Sequence, residues 1–283
     1  AKWGIRDVFT VTGGGAMHMN DAFGHHPGLH CTYQHHEQAC AMAAEAYARV
    51  DNRMAAVCVT TGPGATNAIT GILGAWMDSI PMIVFSGQAR YATTVPASGL
   101  RLRSMGVQEC NIVPVVTPLT KFAHMIVHPE NIRYYLEKAL YMAVNGRPGP
   151  VWLDIPLDVQ GAVIETDELN GYDPSENPEE KPAEIPDGII EQILNKIETS
   201  ERPVLTPGNG VRLAGAINDF HRLVEILGVP VVTGMSSVDA LESENLYFVG
   251  RSGGTGNRPG NFAVQNSDVL LSIGNRQGFA QTG

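Results

Sequence analysis

Short apolar runs alternate with helical runs through most of this 283-residue chain, and this alternation constrains the fold more than any other feature. Between residues 37 and 86, an Ala-rich helical run, an apolar run, a small-residue helical run and a second apolar run follow one another. Strands separated by helices pair in parallel, because the chain must cross back over the sheet between them. The order therefore predicts parallel sheets with helices on both faces.

Periodicity and turn residues predict the individual elements. In the first half we predict helices at 37–50, 65–77 and 131–144, and strands at 7–11, 54–60, 81–86 and 151–156. In the second half we predict helices at 189–197 and 214–227, and strands at 203–206, 229–233 and 267–274. The predicted fold class is α/β, with two doubly wound, mostly parallel three-layer α/β/α domains.

Residues 161–187 differ in composition from the sequence on either side. They carry nine acidic residues and four prolines, with few large apolar side chains. Such a segment cannot bury enough apolar surface to form a core, which predicts an extended linker. We therefore expect a first domain at 1–160 and a central Rossmann-like domain at 188–283. We expect that second domain to be incomplete, because its predicted sheet stops soon after the strand at 267–274.

Composition excludes several classes of partner. A net charge of −10 leaves no basic face to neutralise phosphates, so we expect neither nucleic-acid nor anionic-membrane binding. No apolar run approaches the ~20 residues of a membrane span, and the N-terminus lacks a signal-peptide pattern. The four cysteines show no CxxC spacing and are expected to be reduced thiols. Together these features predict a cytoplasmic globular protein.

A carboxylate and a glycine-rich turn stand out within about thirty residues. Glu37 begins the predicted Ala-rich helix, where the helix dipole favours a negative charge. The turn Gly62-Pro63-Gly64 follows a predicted strand, at the position where open α/β sheets bind ligands. Each feature has a plainer interpretation, as a dipole-neutralising acid and as an ordinary strand-to-helix connection. In combination they indicate a cofactor enzyme.

Five histidines fall within residues 25–36 and raise the question of a metal site. Their spacing fits no helical ligand pair, and the run HEQAC lacks the second histidine of HExxH. We predict no metal ligands among them.

Six motifs in the first half occur in an order that is more specific than any one of them. They read GGGAM, HHEQACAMAAEAYAR, TTGPGATNAITGILGAWMDSIPMIVFSGQ, VQE, LTKF and GRPGPVWLDIP. This series resembles the N-terminal, pyrimidine-binding domain of thiamine-diphosphate enzymes of the acetolactate synthase group. The later runs PVLTPGNG, GVPVVTG and SDVLLSIGNR resemble the central domain of the same family.

The resemblance implies roles for several residues. Glu37 would hydrogen-bond the thiamine pyrimidine and assist removal of the thiazolium proton, with Pro63, Gly64 and Asn67 seating the ring. The substrate pocket would contain Gln108 as a second catalytic residue, together with Gly13, Gly14, Gly15, His36 and Lys121. Two positions depart from the family pattern: Thr12 stands where proline is usual, and Val107 stands where phenylalanine is usual. The second departure bears on substrate choice rather than on reaction type.

Glycine-rich loops in the second half resemble those that hold FAD in the family. The residues are Gly208, Asn209, Gly210, Arg251, Gly253, Gly254, Thr255, Gly274, Asn275 and Arg276. The acidic run that follows the last arginine in flavin-binding relatives is replaced by QGFAQ here. FAD, ADP and no ligand all stay open at this point.

The family activity would be decarboxylation of a 2-oxo acid such as pyruvate, followed by ligation to a second carbonyl. In the family a C-terminal domain with a GDG…N motif holds Mg²⁺ and the diphosphate, and no GDG occurs in this sequence. The active site there forms between subunits, which implies a homodimer or homotetramer. Two alternatives are a non-catalytic or regulatory fragment and a nucleotide-dependent oxidoreductase. Against the second, this sequence contains no GxGxxG motif.

Overall fold

A computed structural model describes residues 1–178 and 183–282 and divides the chain into two compact units, Ala1–Pro182 and Ala183–Gly283. Residues 179–182 of the predicted linker, and Gly283, lie outside the described residues. The division falls within the segment that composition marks as a linker.

The first unit contains a six-stranded parallel sheet. Its strands are β1 (Asp7–Thr10), β2 (His30–Tyr33), β3 (Ala55–Val59), β4 (Met82–Gln88), β5 (Phe122–Met125) and β6 (Pro150–Pro156). They lie in the order β2-β1-β3-β4-β6-β5, and every pairing is parallel. The chain runs from β1 to β2 in one direction and to β3 in the other, so the order reverses between β1 and β3. A reversal of this kind opens a crevice beyond the carboxyl ends of the two strands.

Helices connect these strands and cover the sheet. They are α1 (Met17–His25), α2 (Glu37–Asp51), α3 (Pro63–Asn67), α4 (Ile69–Asp78), α5 (Val95–Ser98), α6 (Val113–Val116), α7 (Ile132–Val144) and α8 (Leu157–Gln160). The left-handed residues Asn52 and Ser79 end α2 and α4, respectively. This backbone conformation terminates a helix by turning the chain away from its axis.

Successive side chains of the central strands point to opposite faces, and both faces are buried. Ala56 and Ile83 face one side and pack with residues of α1 and α7. Val57, Val84 and Trp152 are fully buried on the other side, where α2 packs beside α4. Burial on both faces explains why these strands read as continuous apolar runs in the sequence.

The second unit contains a smaller parallel sheet. Its strands are β7 (Pro203–Pro207), β8 (Val231–Thr233), β9 (Phe248–Arg251) and β10 (Val269–Ile273), in the order β10-β7-β8-β9. Its helices are α9 (Ile189–Glu198), α10 (Asn209–Leu213), α11 (Ile217–Leu227), α12 (Arg258–Asn266) and α13 (Phe279–Thr282). Here the order reverses between β7 and β10.

The α/β fold class with parallel sheets is confirmed, while three strands escaped prediction. β2 and β5 are half-exposed strands at the two edges of the first sheet, and β9 lies at an edge of the second. Edge strands lack the long apolar run of a central strand, so the sequence signal is weak. The predicted helix 65–77 is interrupted at Ala68, between α3 and α4.

The described part of the acidic segment after residue 160 makes specific contacts with α7. The Tyr172 backbone N–H donates to Glu137 Oε2 at 2.8 Å, and the Tyr172 ring packs edge-on against Tyr134 at 5.7 Å. The Tyr134 hydroxyl donates to Glu176 Oε2 at 2.5 Å. Composition did not reveal these contacts, because they depend on one aromatic residue and on partners about 35–42 positions away.

A polar group lies inside the first sheet, where β4 and β6 pair. Ser86 and Asp154 are register partners, and both are fully buried. The Ser86 hydroxyl donates to Asp154 Oδ1 at 2.5 Å and accepts from Trp152 Nε1 at 2.8 Å. Burial raises the pKa of Asp154 to about 7, against the opposing effect of hydrogen bonds from Ser86 and Gln88.

Asp154 should make the stability of the first unit depend on pH. Its pKa is higher in the folded state than in the unfolded chain, so the folded state retains a proton that the unfolded chain releases. The associated stability is present at low pH and is lost as pH rises through about 7. For the wild type we expect a loss on the order of 2–3 kcal/mol between about pH 5 and 8. Asp154→Asn removes the titration and should flatten this slope.

Urea unfolding at several pH values, followed by tryptophan fluorescence, measures the slope. The matched control is Asp158→Asn, which changes an exposed carboxylate four residues further along the same chain segment and should keep the wild-type slope. Equal slopes for wild type and Asp154→Asn would contradict the prediction.

Candidate active site

The loops that follow β1, β3 and β4 meet at the carboxyl edge of the first sheet, where the strand order reverses. The Gly15 backbone N–H donates to Thr60 Oγ1 at 3.0 Å, which joins the loop after β1 to the end of β3. The Thr61 hydroxyl donates to Gln88 Oε1 at 2.6 Å, which joins β3 to β4. Residues 60–64 are therefore flanked by loops from both neighbouring strands, in the crevice that parallel α/β sheets use for ligands.

Glu37 and Asn67 lie in contact at this edge. Glu37 is the first residue of α2, after the extended residue His36, and its side chain is half-buried. Asn67, at the end of α3, donates from Nδ2 to Glu37 Oε2 at 2.7 Å. The same amide nitrogen lies 3.4 Å from Nε2 of the exposed His36. One carboxylate oxygen is thus fixed by an amide, and three residues selected from the sequence come together.

The second carboxylate oxygen faces the glycine turn. A Cβ at Gly64 would lie 2.7 Å from Thr60 Cγ2, which would have to shift, and 3.4 Å from Glu37 Oε1, which is van der Waals contact. Among the described residues, no hydrogen bond to Oε1 occurs. Gly64 is buried, whereas Pro63 is exposed at the first position of α3. Backbone without a side chain beside a carboxylate oxygen can accommodate a flat polar ring.

Gln108 approaches the turn through its backbone. Gly62 has φ +57°, and a Cβ there would overlap the Gln108 carbonyl oxygen. Gln108 itself has φ +55°, a conformation that is uncommon for residues other than glycine. Its side chain is exposed, as is that of Val107. The Gln108 side chain is consequently available to a ligand above the edge of the sheet.

Gln88 connects these loops and was not identified from the sequence. It is 1% exposed at the end of β4, and its amide donates to the Cys110 carbonyl at 2.7 Å and to Asp154 Oδ2 at 3.0 Å. The only sequence signal is a glutamine that ends an otherwise apolar run, together with an aspartate in VWLDIP. Neither signal indicates a partner 66 positions away.

The Gly13–Gly15 loop lies at the same edge, beside an open cleft of about 620 Å³. Gly13 and Gly14 line this cleft with Thr12 and Asn20, among others, whereas Gly15 packs against Thr60 and Thr61. Through its contact with Thr60, the loop is therefore close to the Gly62–Gly64 turn that Glu37 faces.

Lys121 lies at the other edge of the sheet. It precedes β5, where its backbone N–H donates to the Pro150 carbonyl at 2.8 Å, and its ammonium group contacts the Asn145 carbonyl. Since parallel strands share their direction, this is the amino edge, opposite Glu37. The structure does not bring Lys121 to the other selected residues of this chain, and its place in a substrate pocket stays a prediction.

In the second unit, the loops after β7 and β10 lie in contact where the strand order reverses. The Gly208 N–H donates to the Ile273 carbonyl at 2.8 Å, and the Gly210 N–H donates to the Gly274 carbonyl at 2.9 Å. After β9, the N–H groups of Gly253 and Gly254 donate to Asn261 Oδ1 and to the Ala280 carbonyl. Four glycine N–H groups of the predicted flavin loops are therefore engaged within the protein.

Two polar atoms at this second edge are buried without a hydrogen-bond partner among the residues that the structure describes. They are Thr233 Oγ1, at the end of β8, and Asn275 Nδ2, after β10. Buried polar atoms are nearly always hydrogen-bonded in native proteins. Two unbonded polar atoms at the edge where α/β sheets bind ligands therefore indicate space for a polar ligand. Arg251 is exposed at the end of β9, while Asn209, Thr255 and Arg276 complete the selected loops.

Within residues 1–178 and 183–282, no group of three or more histidine, cysteine, aspartate or glutamate side chains is arranged to hold a metal ion. None of the helices in these ranges has the length and apolar character needed to cross a membrane.

Comparison with known proteins matches both halves of the chain to one enzyme family. Residues 1–98 match the thiamine pyrophosphate enzyme N-terminal TPP binding domain. Residues 190–283 match the thiamine pyrophosphate enzyme central domain. The first match includes Glu37, Gly64, Asn67 and Gln88, and the second includes the loops after β7, β9 and β10.

Individual relatives agree with these domain matches. The chain is 32% identical to the acetolactate synthase large subunit of Lactococcus lactis over 275 residues, and 34% identical to that of Haemophilus influenzae over 280 residues. Each alignment covers 96% of this chain and 46% of the relative. Acetolactate synthase 1 of Zea mays is 34% identical over 280 residues, covering 97% of this chain and 42% of the relative.

The chain thus spans less than half the length of the curated relatives it matches. The similarity runs through both units and through the residues that meet at the carboxyl edge of the first sheet. The chain belongs to the thiamine pyrophosphate enzyme family, as an acetolactate synthase-like member that carries the N-terminal and central domains.

Proposed function

We propose that this chain supplies the pyrimidine-binding half of the active site in a thiamine-diphosphate-dependent enzyme that decarboxylates 2-oxo acids and ligates the product to a second carbonyl. The observation that carries the proposal is the Glu37 carboxylate, held by Asn67 through one oxygen and facing Gly64 with the other. Family membership and this arrangement point to the same ligand, because a carboxylate beside an open backbone turn fits a nitrogen heterocycle.

The residues at this edge fit the cofactor's pyrimidine ring. Gly64 leaves space beside Glu37 Oε1 that a Cβ would fill, and Asn67 limits the carboxylate to one orientation. Glu37 would hold and exchange a proton with a ring nitrogen, which is general acid–base work by a positioned carboxylate. When bound, thiamine diphosphate supplies the nucleophilic carbon and accepts the electron pair that decarboxylation leaves.

Other residues would orient the substrate and complete the assembly. We assign Gln108, His36 and the Gly13–Gly15 loop to the substrate pocket. They adjoin Glu37 and the Gly62–Gly64 turn from different sides. Mg²⁺ and the diphosphate would be held by a separate diphosphate-binding domain of a second subunit, so the active enzyme would be a homodimer or homotetramer. A non-catalytic role for this chain is the competing proposal, and the first variant below discriminates between them.

Glu37→Gln should abolish most turnover. Glutamine keeps the size of the side chain and a hydrogen bond to Asn67 but cannot exchange a proton, so kcat should fall about 100-fold or more. The measurement is thiamine-diphosphate-dependent consumption of pyruvate by the full-length protein.

Glu45→Gln is the matched control for this variant. Glu45 lies two turns later on the same helix, where it pairs with Arg49, and its loss should affect stability without changing kcat. Undiminished turnover in Glu37→Gln would refute the catalytic assignment of Glu37.

Asn67→Ala should weaken cofactor binding. The change removes the N–H that fixes Glu37, so the carboxylate would have to be ordered when the ring binds. An ordering cost of about 1.4 kcal/mol, near the contribution of a hydrogen bond to a charged group, corresponds to about a tenfold loss of affinity. Calorimetric titration of the full-length protein with thiamine diphosphate and Mg²⁺ measures the effect.

Thr66→Ala controls for local damage to α3, because the Thr66 hydroxyl donates only to the Pro63 carbonyl at 3.2 Å. Its affinity should match the wild type. Equal affinities of Asn67→Ala and Thr66→Ala for the cofactor would contradict the prediction.

We also propose that the second unit binds FAD at its carboxyl edge. The unpaired atoms Thr233 Oγ1 and Asn275 Nδ2 support a ligand with polar groups there. Since the glycine N–H groups of these loops are engaged within the protein, the phosphates would depend on cationic side chains such as the exposed Arg251.

Arg251→Gln should reduce flavin binding by about tenfold, because it removes a charged donor for a phosphate. Titration of the full-length protein with FAD, followed by flavin fluorescence, measures the affinity. Arg258→Gln is the control, because Arg258 stacks on the Phe262 ring at 5.3 Å on the following helix. Failure of the wild-type protein to bind FAD would contradict the assignment. Binding of ADP by a protein that does not bind FAD would identify a different nucleotide.

A further inference from the structure

We propose that Gln88 is a positioning residue that holds the Thr61–Gly64 turn against the Gln108–Cys110 segment, with the Cys110 carbonyl and the Ala89 N–H fixing the orientation of its amide. The consequence for turnover rests on the proposed function, whereas the restraint on the two segments does not. Gln88 contacts neither Glu37 nor Asn67 through any described hydrogen bond, and it would act on the site through its neighbours.

The Gln88 amide uses its full hydrogen-bonding capacity. Its Nε2 donates to the Cys110 carbonyl at 2.7 Å and to Asp154 Oδ2 at 3.0 Å. Its Oε1 accepts from Thr61 Oγ1 at 2.6 Å and from the Ala89 N–H at 2.9 Å. A primary amide has two donor hydrogens and two acceptor lone pairs, so no further contact is available. One buried side chain thereby joins three separate segments of the chain to β4.

These four partners permit only one orientation of the amide. The Cys110 carbonyl only accepts and requires the NH₂ group, and the Ala89 N–H only donates and requires the amide oxygen. A flipped amide would place acceptor against acceptor and donor against donor in the buried interior, where unpaired polar groups are costly. These two partners therefore determine that Oε1 faces Thr61, and Asp154, itself anchored by Ser86, accepts the second amide hydrogen.

The two restrained segments flank a close backbone contact of the site. Thr61 directly precedes Gly62, and Cys110 lies two residues after Gln108, whose carbonyl oxygen contacts Gly62. The Thr61 hydroxyl also lies 3.4 Å from that carbonyl oxygen. A side chain that holds both flanks sets the separation between the glycine turn and the segment that carries Gln108.

The backbone of Gln108 is the part most in need of restraint. A non-glycine residue at φ +55° costs free energy and persists only where its surroundings enforce it. The bonds from Gln88 to Cys110 and Thr61 enforce it from both sides. Burial also raises the pKa of Asp154 to about 7, because the ionised carboxylate is costly to bury here.

Thiol labelling of Cys110 tests the restraint without any assay of activity. Gln88→Met keeps the volume of the side chain but removes all four hydrogen bonds, so the half-buried Cys110 should react with N-ethylmaleimide about fivefold faster or more. Peptide mass spectrometry of the full-length protein assigns the label to Cys110. Thr61→Val, which removes one of these hydrogen bonds, should raise the Cys110 labelling rate by a smaller factor. It replaces Gln88→Met as the test if that variant does not fold.

Thr120→Val is the matched control, because Thr120 is as buried as Thr61 and its hydroxyl donates to the Val116 carbonyl at 2.9 Å near the opposite edge. It should leave the Cys110 rate at the wild-type value. A wild-type rate in both Gln88→Met and Thr61→Val would overturn the proposal.

A double-mutant cycle tests the consequence for turnover. Gln88→Met should lower kcat about tenfold with a smaller change in KM, because it displaces residues that orient substrate. In a Gln108→Ala background the same change should cost less than tenfold, since the Gln108 side chain is already absent and only the effect on the glycine turn is left. A full tenfold loss in that background would refute action through Gln108.

The labelling experiment and the double-mutant cycle distinguish failure of the proposed restraint from failure of the proposed function. Wild-type protein without thiamine-dependent turnover would refute the proposed function, while the labelling rates would still decide the restraint. Faster labelling with undiminished kcat would show that Gln88 holds the segments but does not position the site, which overturns the proposal as stated.

Discussion

The central position of β3 in the first sheet is the constraint on which the candidate active site depends. β3 pairs with β1 on one side and β4 on the other, and all three strands run in the same direction. Residues 60–64 must therefore emerge between the loop that carries Gly13–Gly15 and the end of β4. Glu37 reaches the same crevice because α2 returns along the sheet and begins at its carboxyl edge.

Two kinds of contact then convert this crevice into a defined site. The first is close packing of backbone, which excludes a side chain at Gly62 and Gly64 and brings the Gln108 carbonyl and Glu37 Oε1 against the turn. The second is a buried hydrogen-bonded chain from Trp152 through Ser86, Asp154 and Gln88 to Thr61. Backbone packing specifies where the segments lie, and the buried polar chain limits how far they can move. Polar groups in an apolar sheet are costly unless all are paired, and the side chains of this hydrogen-bonded series are paired with one another.

Sequence alone predicted much of this arrangement, for identifiable reasons. Central strands buried on both faces leave continuous apolar runs, so β3, β4 and β6 were found from their composition. Glu37, Gly64 and Asn67 were selected from ordered motifs, and the structure brings them together. Edge strands β2 and β5 were missed because partial exposure removes the apolar pattern. Gln88 and Asp154 were missed because their significance lies in mutual contact across 66 residues, which no local pattern encodes.

Under the proposed function, the exposed surroundings of Glu37 would require a covering surface. Its carboxylate is only half-buried, and the neighbouring His36, Pro63 and Gln108 side chains are exposed. A carboxylate in contact with solvent is a weak proton relay, because water competes for its hydrogen bonds and lowers the strength of electrostatic interactions. Covering this edge would exclude water and strengthen the Glu37–Asn67 pair at the same time. In the proposed assembly, a second domain would complete the site at the open edge of the first sheet. The restraint provided by Gln88 then matters most, because a partner can close on a preformed turn without reordering it.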